Sequence, residues 1–397
     1  MKIIHTSDWH IGQTFYEYDR QAEHLLFLSW LKKQIKNENA DALLIAGDIF
    51  DNPNPSAESQ TIYYGFLHEL TAENPQLQVV VIAGNHDSAA RLEAPNPLLE
   101  SMKIYVRGIV QRTPEGEIDA NWLTIPLMKN NQIAAWCLAV PYLRRGDYPA
   151  ADTHSEGVGK LYKYLLEHIP DKTKPVIAMG HLYASGAELS ENDTSERIIV
   201  GGLDSIPPEY FPPEITYLAL GHLHRSQRAG KKDNIRYAGA PLPMSFSERK
   251  NKQGILSVEI IDGKAQVNSI HFPPPVELIS IPEKPGSPEN VREEITFLPQ
   301  GETTELSPFL EIKVKLSEPE PSLRFHIEEA LKHKAVRLAT IVPILPSRGK
   351  ETLAMTFDEL QTISPLNVAM NLYEARYEGA TMPEAMQELL RCVLSEI

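Results

Sequence analysis

Five short apolar runs in the first 225 residues end in side chains that bind metals. They are KIIHTSDWH (2–10), ALLIAGDIFD (42–51), VVVIAGNHD (79–87), PVIAMGH (175–181) and YLALGHLH (217–224). Each passes through Gly or Ser into Asp, Asn or His, and the terminal residues collect as Asp8 and His10; Asp48 and Asp51; Asn85, His86 and Asp87; His181; His222 and His224. Oxygen and imidazole donors without thiolate suit Mn²⁺, Fe or Zn at a reactive centre better than a structural zinc. Asp8 and His10 stand two apart, as do His222 and His224, so an extended segment turns both members of a pair to one side. A carboxylate such as Asp48 can bridge two cations, which allows a hydrolytic centre of two metals about 3.5–4 Å apart.

Such a centre needs elements that carry all five ends to one place. The runs are aliphatic or β-branched and apolar on both faces, as in strands covered on both sides. Between them, HLLFLSWLKKQIKNE (24–38), TIYYGFLHELTAE (61–73) and GKLYKYLLEHI (159–169) read as amphipathic helices. Alternating strands and helices imply an α/β fold, and in such sheets sites form beyond the C-terminal ends of the strands. Gly84 is expected to permit a sharp turn before Asn85.

The pattern changes near residue 235. IRYAGAPLPMSF, GILSVEIIDGKAQVNSIHF and the earlier NWLTIPL/IAAWCLAVPY pair read as antiparallel strands, with Asp262-Gly263 as a hairpin turn. A second sheet is therefore expected. The proline-rich FPPPVELISIPEKPGSP (272–288) marks a boundary. A small α+β module follows: strand 276–281, helix 288–298, strand 309–316, helix 321–333 and strand 336–344. SRGKETLAMTFDEL and PEAMQELLRCVLSEI then read as helical, with a break at 379–383. The second carries an apolar stripe at Met386, Leu389, Leu390, Val393 and Leu394.

The bulk numbers bound the function. A chain of 397 residues predicts two or three domains. Two cysteines, Cys137 and Cys392, form no disulfide framework. No apolar run reaches a membrane span and the N-terminus enters a strand directly, so a cytoplasmic home is expected. A net charge of −15 argues against a generally basic nucleic-acid binder. Local basic patches remain open, and Arg225, Arg228, Lys231, Lys232 and Arg236 follow directly after the last histidine pair. They could hold DNA phosphates or form a solvated hairpin. RGKE (348–351) is no P-loop, because the GK is followed by Glu and lacks the upstream glycine.

Asp-x-His, Gly-Asp, Gly-Asn-His-Asp, Gly-His and Gly-His-x-His, in this order, resemble the calcineurin-like metallophosphoesterase superfamily. More narrowly, IIHTSDWHIGQ, AGDIFD, AGNHDS, GHLYASGA and ALGHLHRSQ resemble the SbcD family, and YAGAPLPMSFSE (237–248) extends the likeness. The resemblance implies a four-layer α/β-β/α sandwich of two mixed sheets over residues 1–275. An α+β DNA-capping domain at 276–346 and a helical acidic tail at 347–397 would follow. One metal would take Asp8, His10, Asp48 and His224, the second Asp48, Asn85, His181 and His222, with Mn²⁺ the expected ion. His86 would meet the scissile phosphate and protonate the leaving oxygen rather than bind metal. Asp51 occupies the position that orients this histidine in related protein phosphatases. Asp51 and Asp87 could equally be carboxylates that stabilise turns.

The implied activity is Mn-dependent exonuclease and endonuclease action on DNA duplex ends and hairpins, within an SbcCD-type repair and recombination complex. The partners would be DNA, an SbcC-like coiled-coil ATPase docked on the tail, and a second copy of the chain. That copy would pair through helices near 57–72 and 89–103, with Tyr63, Tyr64 and Phe66 as apolar contacts. A phosphatase acting on a small or protein substrate is the alternative from the same scaffold. A DNA-end scaffold whose own chemistry is secondary is a third reading, and it would survive loss of His86.

Overall fold

The computed structural model describes residues 1–186, 205–317, 320–345 and 382–395, with isolated positions between 366 and 373. The first apolar runs form β1 (Lys2–Thr6), β2 (Ala42–Ala46), β3 (Gln78–Ile82) and β4 (Ile104–Arg107), paired in parallel. The chain then builds a second sheet. Its strands are β5 (Thr124–Lys129), β6 (Gln132–Ala139), β7 (Val176–His181), β8 (Ile215–Gly221) and the short β9 (Gln227–Arg228) and β10 (Ile235–Tyr237). It returns to the first sheet with β11 (Gly254–Ile261) and β12 (Lys264–His271). The orders are β12-β11-β1-β2-β3-β4 and β9-β10-β8-β7-β6-β5.

Apolarity on both faces of each strand has a direct structural reason. Leu43, Ile45, Val79 and Val81 pack outward under helices α1 (Gln21–Glu38) and α2 (Ala57–Glu73). Their neighbours Leu44, Val80 and Ile82 face inward onto Cys137, Ile177 and Ala219 of the other sheet. That sheet's outer face, with Leu138, Ala178 and Leu218, is covered by α3 (His154–Glu167). The result is the expected four-layer sandwich of two mixed sheets. Local signals set its elements: Ser56 Oγ caps α2 by accepting from Ser59 N at 3.0 Å, and Asn39 closes α1 in the left-handed conformation.

Three expectations are corrected here. IRYAGAPLPMSF is not a long antiparallel strand. Only Ile235–Tyr237 is extended; it pairs antiparallel with the short β9 on one side and in parallel with β8 on the other. Pro241 and Pro243 lack the N–H groups a longer ladder would need. The segment 89–103 is not one helix either. It divides into Ala89–Glu93, Asn96–Leu99 and a 3₁₀ turn at Glu100–Met102, interrupted around Pro95 and Pro97. Tyr63 and Phe66 are unavailable to a second copy, because both are buried edge-on against Trp9 at 6.3 and 5.5 Å between centroids.

Beyond the sandwich, β13 (Leu278–Gly286), α4 (Pro288–Thr296), β14 (Phe309–Lys315), α5 (Leu323–Leu331) and β15 (Arg337–Ile344) form a small module. Its sheet is wholly parallel in the order β13-β14-β15, with its own core of Val291, Ile295, Leu310, Ile312 and Ile327. Phe309 joins it to the sandwich by packing on Phe15 at 4.7 Å, with the Arg337 guanidinium over its ring at 3.7 Å. Residues 1–344 make one compact unit and 345–397 another. In the second unit, α6 (Glu384–Ser395) is helical. SRGKETLAMTFDEL, RGKE and residues 379–381 of the expected break lie outside the described residues. Among the described residues, no helix is long and apolar enough to cross a membrane.

His5, on β1, lies between the sheets and is fully satisfied in its neutral form. Its Nε2–H donates to Leu220 O at 3.2 Å, while Nδ1 accepts from the Tyr217 hydroxyl at 2.8 Å. Burial, aided by the charge of Arg236 and opposed by the Leu220 bond, pushes its pKa down to about 3. An unfolded histidine titrates near 6.5. Unfolding therefore takes up a proton below that pH, and stability is lost as pH falls from about 6.5 toward the folded value. Urea unfolding in EDTA at pH 7.5 and 5.5 measures the effect. In His5→Gln the stability difference between the two pH values should shrink by about 1.4 kcal/mol relative to the parent. Equal differences in both proteins would place this titration elsewhere.

Candidate metal centre

The C-terminal ends of β1, β2, β3, β7 and β8 open on one side of the sandwich, and backbone bonds lock their loops together. Asp8 N donates to Gly47 O and His10 N to Asp48 O, both at 3.0 Å. His222 N donates to Asp8 Oδ1 at 2.9 Å, tying the first loop to the last. His181 Nδ1 donates to Ala46 O at 2.8 Å, which turns its Nε2 inward. Four of these residues, Asp8, His10, Asp48 and His222, have left-handed backbones with φ between 46° and 102°. Such conformations are costly for residues with a Cβ and persist where the surroundings over-determine them.

The side chains converge accordingly. Asp8, His10 and His224 bring ligand atoms within 4.8 Å of one another, as do Asp8, Asp48 and His181. Asn85 Oδ1 lies 3.0 Å from His181 Nε2 and 3.1 Å from His222 Nδ1. His10, Asp48 and His86 form a third such group, so His86 also reaches the same space. The donor set fits divalent cations. His10 is buried, and neither of its ring nitrogens has a hydrogen-bond partner. Asp48 Oδ2 stands 3.7 Å from His10 Nε2 and Asp51 Oδ1 3.5 Å from Nδ1. A lone pair facing acidic oxygens in a buried site is what a cation would satisfy.

Electrostatics centre on Asp48. Burial alone would raise its pKa, but the imidazoles of His181, His10 and His86 overcome this and hold the carboxyl well below the usual range. Reciprocally, burial would lower His181, yet Asp48 at 3.2 Å raises it to about 9. Asp8 is pushed upward, mainly by burial, with Asp48's charge adding and the imidazoles opposing. His222 falls to about 3 through burial and the charge of His181.

The GNHD turn divides its work among four residues. Gly84 provides room: a Cβ there would collide with the Asp48 carboxylate and its backbone. It is close approach, rather than a left-handed turn, that requires glycine. Asn85 supplies an oxygen. Asp87 is buried and accepts from the amides of Gly84 (2.9 Å), Phe50 (3.0 Å) and Ile49 (3.2 Å), clamping the second loop to the third. Burial, reinforced by Asp48, raises its carboxyl to about 6. His86 donates Nδ1–H to the main-chain carbonyl of Asp51 at 2.8 Å, and its backbone N–H donates to Asp48 Oδ1 at 2.9 Å. The expected orienting partner is thus corrected: the carbonyl of Asp51 holds His86, while its carboxylate turns toward His10.

The five bases after His224 do not act as one patch. Arg228 pairs with Asp233 at 2.8 Å, and the Lys232 ammonium donates to Pro208 O at 3.0 Å. Lys231 is exposed on the intervening turn. Arg225 and Arg236 instead line a separate cleft.

Comparison with known proteins decides the family. The family model for the calcineurin-like phosphoesterases matches residues 1–226, and one for the type 5 capsule protein repressor C-terminal domain matches residues 274–377. The SbcD protein of the SbcCD nuclease of Rhodobacter capsulatus is 36% identical over 91% of this chain and 92% of its own length. This chain belongs to the SbcD family of calcineurin-like phosphoesterases. The SbcD proteins of Escherichia coli K12 and Bacillus subtilis are similar at 34% and 33% identity, over 69% and 66% of this chain and 68% and 66% of theirs. It is accordingly a metal-dependent phosphoesterase.

Within this SbcD-family centre, Glu248 has a place that the sequence motifs do not signal. It is fully buried, accepts from Met244 N at 3.1 Å through Oε2, and aims an unpartnered Oε1 at His224 Nδ1 from 3.6 Å. A carboxylate behind a ligating imidazole fixes the ring and raises its basicity. Glu248 ends the string YAGAPLPMSFSE, yet it stands 24 residues beyond His224 with no spacing to connect the two. Glu248→Gln should weaken binding of the more His224-dependent cation by about 10–100-fold, read by calorimetric titration of the apoprotein. Unchanged affinity would make Glu248 a packing residue only.

Proposed function

We propose that this chain is the nuclease subunit of an SbcCD-type DNA repair complex. It would hydrolyse DNA phosphodiesters at duplex ends and hairpins with two divalent cations, Mn²⁺ foremost. The observation that carries the reading is the convergence of six oxygen and imidazole donors around buried Asp48, with His86 held beside them. One cation would be held by Asp8, His10, Asp48 and His224, the other by Asp48, Asn85, His181 and His222. When bound, such a pair supplies Lewis acidity toward the phosphate and lowers the pKa of an attacking water.

The protein's own groups do the rest. Asp48, which stands in two of the donor groups, would be shared by both cations and balance their charge, and the loop-locking hydrogen bonds keep the donors from drifting. His86, its Nδ1–H fixed on the Asp51 carbonyl, keeps Nε2 free of that bond. As an imidazolium it can donate the Nε2 proton to the departing sugar oxygen. The short approach of Gly84 to Asp48 keeps His86 against the donor cluster.

The names of the relatives, all SbcD proteins of SbcCD nucleases, support a DNA substrate and an SbcC-like coiled-coil ATPase as partner. On this reading the module at 276–346 caps the DNA, and the acidic tail at 347–397, with eight acids against two bases over 351–397, docks on the partner. A homodimer would use the surface of the 89–102 segment, where Leu98 is 73% exposed, rather than Tyr63 or Phe66. A cytoplasmic location fits the buried, unpaired Cys137.

The test separates this from a general phosphoesterase. The purified chain is assayed on linear duplex DNA and on bis-p-nitrophenyl phosphate with Mn²⁺, with EDTA, and with the partner ATPase. Both substrates should be cleaved, metal-dependently, with the DNA reaction made ATP-responsive by the partner. Turnover of the small ester alone, with DNA untouched even beside the partner, favours the phosphatase reading. His86→Ala should retain both metals and lose about 10²–10⁴-fold in hydrolysis, whereas Asp48→Ala should lose metal as well. Metal content and rate measured on the same samples distinguish the two; a fully active His86→Ala protein would remove His86 from the mechanism.

A further inference from the structure

Where the two sheets meet their open edge, β9–β10 of one lies opposite β11–β12 of the other, and a cleft of about 360 Å³ remains between them. Arg225, Arg236, Lys250 and Lys252 line it, with Ser226 and His271, and no carboxylate is among its described lining residues. In a chain of net charge −15 this is a local reversal of sign. Among the described residues, Glu283 lies 3.8 Å from the lining base Lys250, with both side chains largely exposed.

Arg236 is the anomaly that gives the cleft its meaning. Its neighbours Ile235 and Tyr237 pack outward in the core under α3, so strand alternation turns Arg236 to the inter-sheet side. Elsewhere that side is filled by residues such as Ile177, Ala219 and Val258. The Arg236 Nε is buried and has no hydrogen-bond partner. Buried donors of charged groups are nearly always paired, so this one marks the place of an acceptor the chain does not supply.

The cleft is continuous with the metal centre along two stretches of backbone. Arg225 and Ser226 follow His224 directly, and Lys250 stands two residues after Glu248. The same segments that hold the last histidine ligand run on into the basic lining.

We infer that this cleft is a second phosphate site, which holds a backbone phosphate of the nucleic-acid strand whose neighbouring phosphodiester lies in the metal centre. The inference rests on the nuclease reading above. The chemistry matches a phosphate at every point: a planar guanidinium fork, two mobile ammonium groups and a hydroxyl. Among its described lining residues there is no phenyl, phenol or indole ring on which a base could stack, so the backbone is recognised and not the base. Contacts of this kind fix register and are sequence-independent.

The experiment uses the full chain, the exposed double variant Lys250→Glu/Lys252→Glu, and Arg236→Gln. Binding of a fluorescent DNA duplex in EDTA is followed by anisotropy across a salt series, and cleavage of DNA and of bis-p-nitrophenyl phosphate is measured with Mn²⁺. The double variant should bind at least about tenfold more weakly, with a log–log salt slope smaller by about two. Both variants should lose DNA cleavage several-fold more than ester cleavage. Salt slopes and DNA-to-ester ratios equal to the parent's would overturn the proposal. So would selective loss of thermal stabilisation by inorganic phosphate with DNA binding intact, which would make the cleft a free-anion site. If the parent turns over the ester but neither binds nor cleaves DNA, the nuclease reading itself fails and this assignment falls with it.

Discussion

A single buried carboxylate organises the active end of this molecule. Asp48 is removed from water, a position that would ordinarily force it to take up a proton. It stays ionised because His181, His10 and His86 surround it. Positive charge beside Asp48 can come from imidazolium or from metal, and only metal leaves the imidazole lone pairs engaged as ligands. The geometry is arranged for the second case. His181 spends Nδ1–H on Ala46 O and so offers Nε2 as a donor atom. The same oxygen pair that attracts cations also anchors the chain, since Asp48 Oδ1 accepts the backbone N–H of His86. Binding and positioning therefore share one residue, and neither can be altered alone.

That arrangement has a conformational cost, and the sandwich bears it. Asp8, His10, Asp48 and His222 all sit in the left-handed region, where side chains with a Cβ are rarely found. They are held by hydrogen bonds between loops from different strands rather than within one loop. Asp87 exemplifies the device: one carboxylate takes three amides from two loops and does so without facing the donor cluster. Strands buried on both faces give these loops a rigid base. The apolar pattern that reads as mere core is thus a precondition for the metal geometry.

What was legible in the sequence follows the range of the forces involved. The strand ends announce themselves because apolar run, small residue and ligand lie within ten residues of one another. The α/β class and the two-residue hairpin at Asp262-Gly263 are equally local, and both are present. Effects that depend on what a strand meets across space were hidden. Tyr63 and Phe66 look like a surface stripe until Trp9 arrives against them from another loop. The parallel partner of Ile235–Tyr237, β8, is met only across space and is not signalled by its own residues. Asp51 carries the side chain that motif logic selects, yet its carbonyl makes the contact.

Glu248 and Arg236, the latter offered by the sequence only as one base in a run of five, share the deeper reason for such gaps. Each is a charged residue in a stretch that reads as apolar or turn-like, and each gains its setting only when the second sheet folds against the first. In Glu248 an unpaired oxygen faces a ligand imidazole; in Arg236 an unpaired N–H faces an empty cleft. Buried, unsatisfied polar atoms are disfavoured in a protein that has to fold. Glu248 stands behind His224 and Arg236 lines the basic cleft, so this edge of the sandwich offers one unsatisfied acceptor and one unsatisfied donor to groups that arrive from outside the chain. On the nuclease reading, a hydrolytic centre for a polyanion would need both, because cations that activate one phosphate would leave its neighbours on the strand uncompensated.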